Sequence, residues 1–160
     1  GRQRSHQSRP KGMSKHETPM TRWYWRTVNK RQGLLIEEFA ALKGDKEKGH
    51  SKRHIDGVIL LDEPAERRGP RKDDRALVKG KRVIVIQSKN RRLGMGLIGQ
   101  VVVSRQLLKD LKAKVVKSVG VCKGNDPAMH RILLKCKGCE AAFYRRSRRT
   151  KKPATKSRRV

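Results

Sequence analysis

The run Arg82-Val83-Ile84-Val85-Ile86-Gln87-Ser88-Lys89 constrains this chain more than any other segment. Four consecutive β-branched residues suit a pleated strand and suit a helix poorly, because their stiff χ1 angles crowd a helical turn. Side chains alternate between the faces of a strand. Val83, Val85, Gln87 and Lys89 therefore share one face, and Ile84, Ile86 and Ser88 share the other. Gln87 and Lys89 end an otherwise apolar strand, where burial of polar groups becomes costly.

The rest of the chain is read around that strand. Residues Gly33 to Leu42 are predicted as a helix carrying Glu37 and Glu38 and ended by Gly44. Ile55-Asp56-Gly57-Val58-Ile59-Leu60-Leu61 is a short apolar strand with Asp56 near its start. A basic loop follows, broken by Pro64, Gly69, Pro70 and Gly80. A second helix is expected from about Gly94 to Leu111, with Leu97, Val101, Leu108 and Leu111 near helical spacing, and then a strand from Val115 to Val121. Asn125-Asp126-Pro127 sets a capping residue before a proline at the first helical position. That third helix is expected to end near Cys136, and Glu140 to Tyr144 reads as a last strand. The order is that of an α/β domain, a mixed sheet flanked by helices on both faces. It is expected over residues 23–144, between a basic, flexible arm at 1–22 and a basic tail at 145–160.

Charge decides the class of partner. The chain carries 43 Lys and Arg against 14 Asp and Glu, a formal net charge of +29. An isolated chain with this charge repels itself, and a phosphate backbone neutralises it. The excess is not confined to the ends, since residues 32–144 hold 25 basic and 13 acidic groups. Nucleic acid is the expected partner. Phosphate contacts are expected from Arg67, Arg68, Arg71 and Lys72 in the basic loop, Arg91 and Arg92 just past Lys89, and Arg145, Arg146, Arg148 and Arg149 in the tail. No run approaches the ~18 apolar residues of a membrane span and no signal-peptide core is seen, so a membrane is not the expected partner.

Three cysteines at unequal spacing make no disulfide framework, so a cytoplasmic location is expected, with association to the nucleoid left open. Cys136-x2-Cys139, with Cys122 and His130 upstream, is a combination zinc accepts. Yet Cys122 closes an apolar strand and Cys136 ends a helix, and the cysteines read as small apolar fillers. His50 and His54 read as solvated. Trp23, Tyr24 and Trp25 read as a lid on the core, with base stacking as the alternative.

The Asp56 strand and the Gln87–Lys89 strand carry the chemistry. Paired as a hairpin, they bring Asp56 beside Gln87 and Lys89. A carboxylate and a neutral amide oxygen suit a hard divalent ion such as Mg²⁺, and an ammonium can orient water and stabilise charge on a phosphate. Asp56, then Gln87-Ser88-Lys89 at a strand end, with Glu37 and Glu38 upstream, resembles the PD-(D/E)XK nuclease superfamily. Its Mrr-type restriction endonuclease group, in which Gln commonly replaces the second acid, is the nearest variant. Leu93 to Gln100, Val119 to Cys122 and Asn125-Asp126-Pro127 resemble later segments of that family, so the likeness spans about residues 28–144. The resemblance implies a restriction-endonuclease-like core and a metal-dependent endonuclease acting on nucleic acid, DNA favoured over RNA. It implies Asp56 and Gln87 as ligands of Mg²⁺ or Mn²⁺, Lys89 as the catalytic lysine, and one of Glu37 and Glu38 completing the site from the first helix, Glu38 being taken as the third ligand. Gln100 is expected nearby. Double-strand cleavage commonly uses two sites, which is compatible with a homodimer. Ile55 stands in place of the family's proline, and Gln87 removes one negative charge from the metal site. The alternative is a non-catalytic basic binder associated with the ribosome or nucleoid.

Overall fold

The computed structural model describes residues 17–146. A helix, α1 (Glu17–Trp23), runs on into a π-helical turn, Tyr24–Val28. Then follow β1 (Leu34–Leu42), β2 (Arg53–Leu60), β3 (Glu66–Arg68), α2 (Asp74–Leu77), β4 (Arg82–Arg92), α3 (Met95–Asp110), β5 (Lys114–Gly124), α4 (Pro127–Leu134) and β6 (Cys139–Phe143). Among the described residues the strands form one six-stranded mixed sheet, in the order β3-β1-β2-β4-β5-β6. β1, β2 and β4 are antiparallel neighbours, while β3, β5 and β6 each pair in parallel with β1, β4 and β5. This is an α/β fold with helices on both faces.

The alternation read in Val83–Ile86 is the plan of the core. Val83 and Val85 pack with Val58, Leu60, Val78 and Leu108 on one face, towards α2 and α3. Ile84 and Ile86 pack with Leu35, Ile59, Met20 and Tyr24 on the other, beneath α1. A third cluster joins α3, α4 and the β5–β6 edge through Leu97, Val101, Leu133, Cys122 and Cys139. Asp126 caps α4, accepting from the N–H groups of Ala128 and Met129 at 3.0 and 3.2 Å.

Three sequence expectations are corrected. Residues 34–42 form strand β1, not a helix: Leu34 and Ile36 face one apolar cluster and Leu35 the other, so both faces are buried. Burial on both faces within a sheet overrides the helix propensity of Leu, Glu and Ala. Second, α1 (Glu17–Trp23) lies largely inside the stretch expected to be an arm at 1–22. Third, β2 and β4 are antiparallel neighbours but no hairpin, because β3 and α2 lie between them in the chain. Among the described residues no helix is long and apolar enough to cross a membrane.

Glu38 is irregular within β1, with φ at +52°. Leu34 and Ile36 share a cluster with Phe39 and Ala41, so the alternation changes by one position at this left-handed residue while the register with β2 is kept. Gly57 permits the other notable contact. A Cβ there would sit 2.7 Å from Thr21 Cγ2 and 3.1 Å from Leu35 Cδ1, so α1 lies directly on the β2 backbone. Gly57→Ala is expected to lift α1 and cost roughly 1–3 kcal/mol, the usual range for overpacking. Thermal unfolding reads this as a lowered Tm, and adding Thr21→Ser, which removes the methyl and keeps the hydroxyl, should recover most of the loss.

Candidate active site

The β2–β4 ladder ends at the Gly57–Ile86 pair, and Asp56 and Gln87 are the residues next to it on the two strands. The Asp56 Oδ2 accepts the backbone N–H of Ser88 at 2.8 Å, which fixes the carboxylate in the sheet plane and leaves Oδ1 for the site. Gln87 Nε2 donates to Ser104 Oγ of α3 at 2.6 Å, so the amide presents its carbonyl oxygen elsewhere. Ser88, on the opposite face of β4, shares a 2.8 Å hydroxyl–hydroxyl bond with Thr21 of α1. Thr21 and Glu17 are one helical turn apart, and this contact holds Glu17 over the end of the sheet.

These groups meet in one cavity of about 540 Å³, whose lining includes Glu17, Asp56, Gln87, Lys89, Gln100 and Ser104. Gly96 and Gly99 of α3 also line it, and a Cβ on either would meet nothing within 4 Å. Glycine inside a helix costs about 1 kcal/mol against alanine, and here it leaves the helix face bare beside the cavity. Burial raises the pKa of Asp56 to about 7. The Ser88 N–H and the Lys89 ammonium act against that rise, and the Glu17 carboxylate adds to it.

The upstream glutamates take other parts. Glu37 does not reach the cavity: Arg22 grips it with two bonds of 2.7 and 3.1 Å, and Arg67 lies 3.7 Å away, so it ties α1 and β3 to β1. Glu38 is 4 % exposed and does not line the cavity, and its Oε2 has no hydrogen-bond partner. Its pKa is pushed up to about 7 by burial first, then by the charges of Asp56, Glu37 and Glu17. The acid brought in by the first helix is Glu17, which the sequence reading missed. Its signals were Pro19 in the first helical turn and Met20, Trp23 and Tyr24 at helical spacing behind it.

A divalent cation suits this donor set. Asp56 and Glu17 offer hard carboxylate oxygens that repel each other when ionised, and Gln87 offers a neutral one, a combination that Mg²⁺ accepts while keeping several waters. Among the described residues no three His, Cys, Asp or Glu side chains group as a metal site, so a cation here would have to take the Gln87 amide oxygen as a donor. The cysteines belong to the packing: Cys122 lies in the third apolar cluster, and His130 stands edge-on to Phe143 with ring centroids 5.5 Å apart.

Of the expected phosphate contacts, Arg71, Lys72, Arg91, Arg145 and Arg146 are exposed. Arg67 is exposed near Glu37, and Arg92 is 3.9 Å from Asp126. Arg68 is corrected to a structural role, since its guanidinium is bound to buried Asp74 at 2.8 Å. Arg148 and Arg149 lie outside the described residues. Tyr24 and Trp25 are buried, with Trp25 Nε1 donating to the Gly33 carbonyl, as expected of a core lid.

Comparison with protein-family models, with curated proteins and with solved structures returned no match.

The strain at Glu38 is measurable. Its native pKa of about 7 stands above an ordinary 4.5, so the native state holds the proton more tightly than the unfolded chain does. That contribution to stability is full below pH about 4.5 and is lost as the pH rises through about 7. Glu38→Gln should therefore raise stability at pH 8 by roughly 1–3 kcal/mol, and by much less at pH 4.5, in urea unfolding with EDTA present. A loss of stability at pH 8 would mean that the carboxylate makes a bond the fold needs.

Proposed function

We propose that this protein is a metal-dependent nucleic-acid phosphodiesterase, an endonuclease with a core of the PD-(D/E)XK type. The observation that carries the reading is the convergence of Glu17, Asp56, Gln87 and Lys89, from three different elements, on one cavity at the end of the sheet. A scaffold protein that only neutralises phosphate has no use for a buried carboxylate beside a lysine there. The strongly basic composition supports the same class of substrate.

Asp56, Gln87 and Glu17 would hold Mg²⁺ or Mn²⁺. Such an ion, when bound, supplies positive charge to the phosphate oxygens and eases deprotonation of water. Lys89 acts from the same wall of β4 as Gln87. Its ammonium stabilises the charge that builds on the non-bridging oxygens as a water oxygen bonds to phosphorus and a P–O ester bond breaks. The attacking water gives its proton to solvent, and the departing oxygen takes one from solvent. Ser104 holds the Gln87 amide with its carbonyl oxygen available, and Ser88 holds Asp56; both position groups without touching substrate.

Incubation of plasmid, linear duplex and RNA with Mg²⁺, Mn²⁺ or EDTA tests the activity, and cleavage should require the metal. Lys89→Ala should lower the cleavage rate by at least about 10²-fold, the usual loss of a charge-stabilising group. Affinity measured in EDTA should change little, because one cation among 43 basic residues adds little to binding. An equal fall in binding and cleavage would reduce Lys89 to part of the basic surface, and favour the non-catalytic reading.

A further inference from the structure

A second cavity, about 580 Å³, opens on the side of the sheet edge that carries β3 and α2. Its walls hold Lys43, Lys52, His54, Arg71, Lys72 and Arg75 with three apolar residues and no acid. His54 lines both this cavity and the candidate active site, so the two are neighbours on either side of that residue. Along β2 and the residue before it, Lys52 faces the second cavity and Arg53 the first.

The loop before α2 is built to present its cations. Asp74 is 1 % exposed and accepts from the Arg68 guanidinium at 2.8 and 3.3 Å and from the Arg71 backbone N–H at 2.7 Å. Arg68 neutralises that buried acid, which leaves the Arg71 and Lys72 side chains on the outside. Among the described residues none of Lys43, Lys52, Arg71 and Lys72 is in an ion pair, and Arg75 donates only to the Ala40 carbonyl, at 3.3 Å. No Phe, Tyr or Trp lines either cavity. With no ring larger than the His54 imidazole, this wall of cations reads phosphates and offers bases little stacking surface, where stacking adds about 1–3 kcal/mol per base for single strands.

We propose that Lys52, Arg71 and Lys72, with Lys43 and Arg75, form a phosphate track that guides one backbone of a double-stranded nucleic acid to the active site, without regard to sequence. Its end point rests on the nuclease reading given above; the binding itself does not.

Fluorescence anisotropy of the full chain in EDTA, over a range of salt, tests it with a duplex and with a single strand of one sequence. The triple variant K52A/R71A/K72A is compared with R131A/K135A/K137A, which removes equal charge from α4 and the loop after it, near the opposite edge of the sheet. Each lost phosphate contact lowers the slope of log affinity against log salt by about 0.9 on a duplex. The track variant should lose roughly 2 to 3 in slope and at least tenfold in duplex affinity, with the α4-side variant near wild type. Equal losses in the two variants would overturn the track in favour of a diffuse basic surface. A loss as large on the single strand as on the duplex would overturn the assignment to a double helix. Circular dichroism of each variant guards against misfolding, and Arg71→Lys with Lys72→Arg, which keep the charge, should keep the slope. If wild type never cleaves yet the track variant alone loses slope, the nuclease reading fails and the track stands. If Lys89→Ala abolishes cleavage and the track variant binds as wild type does, the reverse holds.

Discussion

Ser88 stands between Gln87 and Lys89, and its two bonds hold the candidate site together. Its backbone N–H fixes Asp56 across the β2–β4 ladder at 2.8 Å, and its buried hydroxyl joins Thr21 at the same distance. The first bond orients the carboxylate and opposes, without cancelling, the burial that favours the neutral acid. The second sets the height of α1 on the sheet, which the bare backbone of Gly57 makes possible. With α1 so held, Glu17 comes over the open end of β2 and β4. Each bond replaces water contacts by protein contacts and is worth only about a kcal/mol net, but either group left buried and unpaired would cost more.

The electrostatics run against the rest of the molecule. Acids number 14 against 43 basic residues, yet the charges of Asp56 and Glu17 raise the proton affinity of Glu38, and that of Glu17 raises the proton affinity of Asp56. Elsewhere in the fold, acids sit in ion pairs, as Glu37 does with Arg22 and Asp74 with Arg68. A buried pair of carboxylates, Asp56 and Glu38, inside a basic protein is a costly arrangement for folding alone. It suits a site in which a cation and an anionic backbone must meet.

Much of this was legible in the sequence where side-chain chemistry is local. The β-branched run of β4 declared both its strand and its two faces, and from those faces came the pairing of Gln87 with Lys89. Asp126-Pro127 declared the start of α4. The failures arose where tertiary context decides. Leu34–Leu42 has helix-forming composition, and only its place between β3 and β2, buried on both faces, makes it a strand. Once that segment was read as a helix, Glu37 and Glu38 were natural candidates for a site to which the true helix brings Glu17. Basic, polar surroundings hid α1, although Pro19, Met20, Trp23 and Tyr24 carried its pattern. The ion pair that removes Arg68 from the surface joins residues six apart across an irregular loop, a contact that no periodicity announces.

The central claim is that side chains from α1, β2 and β4 converge on a single divalent cation. A crystal of the full chain grown with Mn²⁺, with data collected at a wavelength where manganese scatters anomalously, tests it directly. The account predicts one strong peak in the cavity, bonded to Asp56 Oδ1 and the Gln87 carbonyl oxygen, with Glu17 bound directly or through water and Lys89 alongside. A well-ordered cavity with no peak at saturating Mn²⁺, or a metal held elsewhere on the chain, would contradict it.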